Sequence, residues 1–139
     1  MTDPAQGVPS AILHIDGEGT LPAVRQAVDD AGRRIGFGLV DQTKLMTAAS
    51  ELARNIVLYA QGGTMTIEHA SAAGRSGVRL IFEDAGPGIP DLERAMQDGY
   101  STGKGMGLGL PGAKRLAHEF SITSSPGSGT RVMFMLWKR

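Results

Sequence analysis

The spacing of apolar residues in the first part of the chain predicts one strand followed by two helices. Residues 11–15 form a short apolar run that ends at Asp16-Gly17, a pattern typical of a strand and its turn. Beyond Thr20, a candidate N-cap, apolar residues recur every three or four positions, as they do on one face of a helix. The stripe of the first helix is Leu21, Val24, Val28, Ala31 and Ile35, and that of the second, with Asp41 as its expected cap, is Leu45, Ala49, Leu52, Ile56 and Ala60.

The second part of the chain shows strand and helix patterns on either side of a glycine-rich stretch. Residues 64–69 and 78–83 alternate in polarity and predict a hairpin with its turn at 71–77. Residues 85–105 are rich in loop formers, and helical spacing returns over 108–120, where Pro111 fits in the first turn. Residues 121–125 and 130–137 predict closing strands, and the last strand is apolar on both faces, so we expect it inside the sheet.

This order of elements predicts an α+β fold, a sandwich in which one layer of helices covers one face of a mixed, mainly antiparallel sheet. The length of 139 residues suits a single domain over residues 1–139, with residues 1–9 as a flexible lead. The chain contains no cysteine, which excludes thiol catalysis, cysteine-bound zinc and disulfide scaffolds.

Charge and hydropathy narrow the expected partners and location. The formal net charge is zero, so we expect no general affinity for nucleic acid or for an anionic membrane. No apolar run is long enough to span a bilayer and the amino terminus lacks an apolar signal core, so we expect a cytoplasmic protein. Many of the 20 glycines lie between Gly86 and Gly112, which indicates a specialised loop system.

A carboxylate and an amide stand one helical turn apart in the second predicted helix. Glu51 and Asn55 are four residues apart, so their side chains are neighbours beside the buried stripe. An amide oxygen can bind Mg²⁺, which prefers oxygen ligands and keeps several waters, and a carboxylate can accept a proton from an attacking hydroxyl or water. Taken alone, the pair is weak evidence for a functional site, because most such pairs lie on a solvated helix surface.

A second candidate segment follows the end of the second hairpin strand. A carboxylate at Asp84 can accept a hydrogen bond from an exocyclic amine such as adenine N6. Gly86 and Gly88 would let the backbone approach a flat ring closely. Taken alone, an ordinary turn is the better interpretation, because Asp, Gly and Pro are common turn residues.

The third candidate segment is an alternating glycine stretch that opens the last predicted helix. It comprises Gly103, Lys104, Gly105, Met106, Gly107, Leu108 and Gly109. Successive backbone N–H groups and the helix amino terminus would together form a phosphate cradle. The spacing is neither that of a Walker A loop nor that of a Rossmann fingerprint. A flexible glycine-rich loop is the less favoured alternative.

Together, E-x-x-x-N, D-x-G-x-G and G-x-G-x-G in this order resemble the N-box, G1-box and G2-box of the GHKL ATPases. The chain is also similar to the anti-sigma-factor serine/threonine kinases, and above all to the stressosome switch kinases of the RsbT type. This similarity spans residues 11–137, and the segments that carry it are 40–44, 48–56, 98–103, 107–110, 114–116 and 129–131.

The resemblance implies a Bergerat ATP-binding sandwich with ATP and Mg²⁺ as cofactors. By resemblance, Asp84 would hold adenine with help from Thr130, Asn55 would bind Mg²⁺ and Glu51 would be the catalytic base. Residues 103–109 would wrap the phosphates and residues 89–102 would form the ATP lid. Lys104 departs from the small residue that these kinases often carry there, and it would either contact a phosphate or point to solvent.

The function implied is an ATP- and Mg-dependent serine/threonine protein kinase in a partner-switching pathway. Its expected substrate is a STAS-domain anti-sigma antagonist or stressosome scaffold protein, and a protein phosphatase that it activates is a further expected partner. The main alternative is a nucleotide-dependent anti-sigma or regulator-binding module without significant kinase activity. A detached histidine-kinase catalytic domain is less favoured, because no phospho-acceptor helix precedes the first strand.

Overall fold

The fold is seen in a computed structural model that describes residues 7–60, 62–86 and 110–138. Its strands are β1 (Gly7–Ile15), β2 (Gly63–Ala72), β3 (Arg75–Asp84), β4 (Glu119–Ser125) and β5 (Gly129–Trp137). Its helices are α1 (Leu21–Ile35), α2 (Leu39–Tyr59) and α3 (Leu110–Leu116), with a short 3-10 turn at Glu18–Thr20 before α1.

The five strands form one sheet in the order β1-β2-β3-β5-β4, and each pair of neighbours is antiparallel. Strands β2 and β3 are joined by a two-residue turn at Ala73 and Gly74, which is much shorter than the turn predicted at 71–77. Both residues have positive φ, and this mirror-image turn matches the twist of the two strands it joins. The two strands therefore extend to Ala72 and from Arg75, beyond the alternating segments 64–69 and 78–83.

One face of the sheet is covered by the helices, and the main core lies between the two layers. Because side chains alternate along a strand, Leu80 and Phe82 of β3 point to the same side as Phe134 and Leu136 of β5. All four belong to the core cluster that also holds Val28 of α1 and the Leu45, Leu52 and Ile56 stripe of α2. The predicted α+β sandwich with helices on one face is thereby confirmed.

Strand β5 lies between β3 and β4, as its two apolar faces predicted. Phe134 and Leu136 face the helices, whereas Met135 and Trp137 are buried on the opposite face of the sheet. The Trp137 indole Nε1 donates to Glu119 Oε2 at 2.7 Å, and the Arg75 guanidinium lies 4.3 Å from its ring centroid. These polar contacts cover an indole that the helical layer does not reach.

Helix α2 is held against α1 by a polar contact. The Gln42 amide Nε2 donates to the backbone oxygen of Asp29 at 2.9 Å and to its Oδ1 at 2.8 Å. The hydrogen bond from Gln42, and then that from Arg33, lowers the pKa of Asp29 below its ordinary value. Gln42 Oε1 is buried without a hydrogen-bond partner in the described part of the chain, against Gly32 of α1. The contact between Gln42 and Asp29 thus anchors α2, the helix that carries Glu51 and Asn55, to α1.

Two local predictions were wrong, and a third, the cap at Thr20, was right in position only. Asp41 does not cap α2, because Gly38 is the N-cap and Asp41 lies in the first turn. Thr20 occupies the N-cap position of α1, but its hydroxyl donates to Gly17 O and makes no side-chain cap bond. Phe120 is not helical, since α3 ends at Leu116 and His118 N already donates to Met135 O in the sheet. Phe120 follows Leu116 at helical spacing by coincidence and packs on the core from β4.

The start of β1 and the end of the flexible lead predicted at 1–9 also differ from the sequence pattern. β1 begins at Gly7, earlier than the apolar run at 11–15, because residues from Gly7 onward already pair with β2.

No helix among residues 7–60, 62–86 and 110–138 is long and apolar enough to cross a membrane.

Candidate active site

Asp84 is the last residue of β3 and lies in register between two neighbouring strand ends. It pairs with Gly63 of β2 on one side and with Thr130 of β5 on the other. Its carboxylate Oδ1 accepts a hydrogen bond from the backbone N–H of Gly86 at 2.9 Å. Asp84 is half-buried and belongs to the helix-covered face, because Phe82 and Leu80 precede it at alternate positions. The carboxylate is therefore oriented by its own backbone at the edge of the core.

Two glycines let the backbone pack tightly around this carboxylate. A Cβ at Gly86 would lie 2.9 Å from Ala60 Cβ and 3.1 Å from Asp84 Oδ1, so a side chain would disturb both. Gly129 has φ 82°, and a Cβ there would collide with the backbone oxygen of Asp84. Since L-residues rarely adopt this φ, glycine is required at the start of β5. The close contact with Ala60 also brings the end of α2 beside Gly86.

Thr130 is linked by its hydroxyl to the neighbouring edge strand. Its Oγ1 lies 2.8 Å from Ser124 Oγ of β4, and Ser124 Oγ donates to the backbone oxygen of Gly129 at 3.2 Å. Both side chains are half-buried and share the helix-covered face with Asp84, because they alternate with Ile122 and Val132. A row of oxygen atoms thus crosses the ends of three adjacent strands.

On α2, Glu51 and Asn55 lie on one half-buried face beside the buried Leu52 and Ile56, as predicted. The Glu51 side chain is 43% exposed, and its Oε1 lies 3.8 Å from NH1 of Arg54, which is 42% exposed. An ion pair this open is worth at most about 1 kcal/mol. The Glu51 carboxylate therefore stays accessible to a reacting group.

A cleft of about 760 Å³ opens where the end of α2 meets the strand ends. Its size lies in the range of about 300–1,000 Å³ that is usual for small-molecule sites. The described residues that line it are Leu58, Tyr59, Ala60, Gly62, Ala85, Gly86 and Gly127. The cleft adjoins Asp84 through Ala85 and Gly86, and it adjoins the helix of Glu51 and Asn55 through Tyr59 and Ala60.

The profile of the family described as "Histidine kinase-, DNA gyrase B-, and HSP90-like ATPase" matches residues 40–139. That span contains α2 with Glu51 and Asn55, the end of β3 with Asp84, and β5 with Thr130. The chain belongs to this ATPase family. The predicted membership of the GHKL superfamily is thereby confirmed.

Similar proteins show where this ATPase lies within its family. It is 48% identical over 127 residues to "Serine/threonine-protein kinase RsbT" of Bacillus subtilis (strain 168), a match that covers 91% of this chain and 96% of that protein. It is also 30% identical over 94 residues to "Anti-sigma F factor" of Thermoanaerobacter sp. (strain X514), covering 63% of this chain and 64% of that protein. The predicted enzyme class, a serine/threonine protein kinase of the RsbT type, is confirmed at the level of the family.

Solved structures confirm the fold of the ATPase. The catalytic domain of histidine kinase ThkA superposes with a TM-score of 0.55 at 18% identity, covering 92% of this chain and 96% of that domain. The mycobacterial sensor histidine kinase MprB superposes with a TM-score of 0.51 at 17% identity, covering 97% of this chain and 98% of that one. At these identities the likeness concerns the arrangement of helices and strand order alone.

The structure brings the described candidate residues into two groups. Asp84, Gly86 and Thr130 meet at one end of the sheet, and Glu51 and Asn55 share a face of α2. Outside the described residues lie the predicted ATP lid at 89–102 and the predicted nucleotide-binding positions Gly88, Gly103, Lys104, Gly105, Met106, Gly107, Leu108 and Gly109.

Sequence reasoning missed Ser124 and did not single out Gly63 or Gly129. Residues 124–129 contain three serines, two glycines and a proline, a composition that indicates a turn. Nothing in that composition distinguishes Ser124, which contacts Thr130, from the other two serines. The presence of Gly129 directly before Thr130 was visible in the resemblance, but its contact with Asp84 depends on strand register.

Proposed function

We propose that this family member is a Mg-ATP-dependent serine/threonine protein kinase whose substrate is a STAS-type regulatory protein in a partner-switching pathway. The observation that supports the proposal is the close packing of Gly86 against Ala60, which brings the strand end with Asp84 next to the end of α2. An oriented carboxylate at the sheet end adjoins a helix that bears a carboxylate and an amide one turn apart. The relationship to the kinase RsbT supports the same conclusion.

Asp84 and Thr130 would recognise the adenine ring. The carboxylate of Asp84 is a hydrogen-bond acceptor and suits the exocyclic amino group of adenine. The small residues Ala85 and Gly86 leave room for a flat ring in the adjoining cleft. Gly88 and residues 103–109 would supply further backbone contacts to the ring and the phosphates, with Lys104 as a candidate phosphate ligand.

Asn55 would hold Mg²⁺ through its amide oxygen. Mg²⁺ usually takes one or two protein oxygens and completes its shell with phosphates and waters, so a single half-buried amide on α2 fits it. When bound, Mg²⁺ neutralises charge on the phosphates and orients them for transfer.

Glu51 would act as the general base. Its half-exposed carboxylate can accept the proton of an incoming serine or threonine hydroxyl while that oxygen attacks the γ-phosphorus and ADP leaves. Arg54 lies 3.8 Å from Glu51 Oε1 and would help to orient the carboxylate without burying it. The proton therefore ends on Glu51 and the phosphoryl group on the substrate hydroxyl.

The partner is proposed from the relatives and from the small size of the domain. A STAS-domain anti-sigma antagonist or stressosome scaffold protein would dock as a folded protein beside the nucleotide. A phosphoserine or phosphothreonine carries about 1.5–2 negative charges at pH 7, so its repulsion from ADP and the phosphate site would release the product. The released kinase would then be available to a protein phosphatase that it activates.

A regulator-binding module without significant kinase activity is the second candidate, and the anti-sigma F factors among the relatives favour it. Such a module needs a nucleotide site but no general base. The half-exposed carboxylate of Glu51 on α2 therefore favours catalysis.

The test mixes the purified chain with a STAS protein from the same organism, adds labelled Mg-ATP, and follows both label transfer and complex size. We expect label on a serine or threonine of the STAS protein and dissociation of the labelled complex. Stable binding of the STAS protein without label transfer would support the regulator-binding module instead. Absence of any ATP binding would overturn both.

The magnesium assignment has its own test in Asn55→Ala. This variant should bind ATP about equally with and without Mg²⁺, because the amide is the proposed link between the protein and the metal. Asn55→Asp, which keeps an oxygen ligand, should retain the dependence on Mg²⁺. Titration calorimetry with and without Mg²⁺ measures this, and a wild-type magnesium effect in Asn55→Ala would refute the assignment.

A further inference from the structure

Exposed large apolar side chains are concentrated on one helix. Among the residues that the structure describes, four such side chains are exposed, and three of them lie on α2. Leu39 is 84% exposed, Val40 67% and Leu58 46%, whereas Ile12 lies on the edge strand β1. Single exposed apolar residues are ordinary, but a group of them on one element is typical of an interaction surface.

A solvent-facing stripe runs along α2 and contains the proposed base. Each residue of a helix turns the side-chain direction by about 100°, so positions four, seven, eleven, fourteen and eighteen after Val40 return to within about 40° of its direction. We call this set the α2 stripe, and all its side chains are exposed or half-buried: Val40, Lys44, Thr47, Glu51, Arg54 and Leu58. The stripe has an apolar residue at each end and Glu51 near its middle.

The carboxyl-terminal end of the α2 stripe reaches the cleft of the candidate site. Leu58 is one of the residues that line the cleft of about 760 Å³. Glu51 precedes Leu58 by two helical turns on the same face of the helix. A protein lying along the stripe would therefore bring a hydroxyl group to Glu51 while it contacts the rim of the cleft.

The charges of the α2 stripe disfavour a second copy of this chain as its occupant. If two stripes paired in antiparallel fashion about their midpoint, Lys44 would face Arg54 of the second copy, and in a parallel pair Lys44 would face Lys44. Both arrangements oppose like charges, which disfavours association. An acidic side chain on a different protein would instead complement Lys44.

We infer that the substrate protein docks along the α2 stripe, with Leu39 and Val40 as an apolar anchor remote from the nucleotide. This inference rests on the proposed kinase function. Val40 and Leu58 stand eighteen residues apart, or about 27 Å along the helix. A folded domain of about 100 residues, with a radius of gyration of about 13 Å, is large enough to span that distance. The occupant is thus a small folded regulatory protein that presents its serine or threonine between two apolar contacts and carries an acidic group near Lys44.

The experiment measures kcat and KM for phosphoryl transfer to the STAS protein of the proposed function. In the double variant Leu39→Ser/Val40→Ser, we expect KM for the STAS protein to rise about tenfold, as when a central apolar contact is lost from an interface. Neither side chain takes part in the chemistry, so kcat and the Kd for ATP should stay at the wild-type values. Ile12→Ser, which removes a side chain that is 64% exposed on β1, is the matched control and should keep the wild-type KM.

A second variant tests the charge of the occupant. Lys44→Glu should also raise KM, and the increase should shrink as salt is added, because exposed charges are screened by salt. Lys44→Arg keeps the positive charge and should show the wild-type KM. An increase in Lys44→Glu that is independent of salt would overturn the acidic character assigned to the occupant.

The outcomes separate this inference from the proposed function. A raised KM with unchanged kcat in the double variant, together with a wild-type KM in Ile12→Ser, supports docking along the α2 stripe. If the double variant phosphorylates the STAS protein with the wild-type KM, or if Ile12→Ser raises KM equally, the docking surface is overturned and the kinase function stands. Wild-type protein that phosphorylates no STAS protein overturns both.

Discussion

The two halves of the candidate site are built in different ways. At the sheet end, Asp84 and Thr130 are held by the register of adjacent strands, by Gly86 N–H and by the close approach of Gly129. On α2, helical spacing places Glu51 and Asn55 side by side, and the ion pair of Glu51 with Arg54 is half-exposed and 3.8 Å long. The groups proposed to recognise the base are therefore fixed by the backbone, whereas the proposed catalytic groups are side chains on a half-buried helix face.

This difference predicts that substitutions on α2 should change chemistry without changing the fold, whereas substitutions at the sheet end should change both. The helix face can lose a functional group at little structural cost, because Glu51 and Asn55 lie beside the buried stripe of α2 and not within it. At the strand ends, the groups proposed to recognise the base also take part in the contacts that hold the strand ends together.

The largest expected effect is that of Glu51→Gln on phosphoryl transfer. Glutamine keeps the shape of the side chain and loses the base, and general-base catalysis contributes about 10²–10⁴-fold. Single-turnover transfer to the STAS protein should slow by this amount, while ATP affinity and the Tm stay close to wild type. Asp41→Asn, the same change of charge in the first turn of the same helix, is the control. Transfer near the wild-type rate would place the base elsewhere.

Asp84→Asn should weaken ATP binding and also perturb the strand end. The amide offers a donor where the carboxylate accepted, and a buried mismatch costs about 1–3 kcal/mol, or about 5- to 150-fold in Kd. Calorimetry with ATP measures the affinity. Glu83→Gln, on the opposite face of the same strand and paired with Arg131 at 3.8 Å, is the matched control and should bind ATP normally. Equal affinity in wild type and Asp84→Asn would refute the adenine role.

Gly129→Ala tests whether the sheet end is fixed by backbone packing. Its Cβ would collide with Asp84 O at a φ of 82°, so the free energy of unfolding should fall by more than about 1 kcal/mol. Gly74→Ala has a similar φ of 79° but open space around it, so it isolates the cost of the backbone angle. Denaturant unfolding compares the two variants, and equal losses would show that the contact with Asp84 contributes nothing.

The smallest expected effect concerns the anchoring of α2 through Asp29. The pKa of Asp29 is lowered in the folded protein, first by Gln42 and then by Arg33, so its contribution to stability is present above the ordinary value of 3.8. That contribution is lost as the pH falls through the lower folded pKa. Asp29→Asn should therefore lower the Tm at neutral pH, and the difference from wild type should disappear in strong acid. A difference independent of pH would mean that the carboxylate charge is not involved.

Much of the fold was predictable because its signals are local. The helical spacing in α1 and α2 and the two apolar faces of β5 predicted an α+β sandwich with the last strand inside the sheet, and these predictions are confirmed. Phe120 was misassigned because its spacing from Leu116 fits a helix and its spacing from Ile122 fits a strand. The bond from His118 N to Met135 O decides between them, and it is a contact with a distant part of the chain.

The sequence by itself determined the family and the identity of the candidate groups, since the spacing of Glu51 and Asn55 and the order of the three motifs are properties of the chain. The tertiary structure decided how strand ends align: that Asp84 lies between Gly63 and Thr130, that Gly86 meets Ala60, and that Ser124 reaches Thr130. The physical reason is that strand register and the packing of α2 on the sheet are set by contacts between residues far apart in sequence. No local pattern of apolar and polar residues contains those contacts.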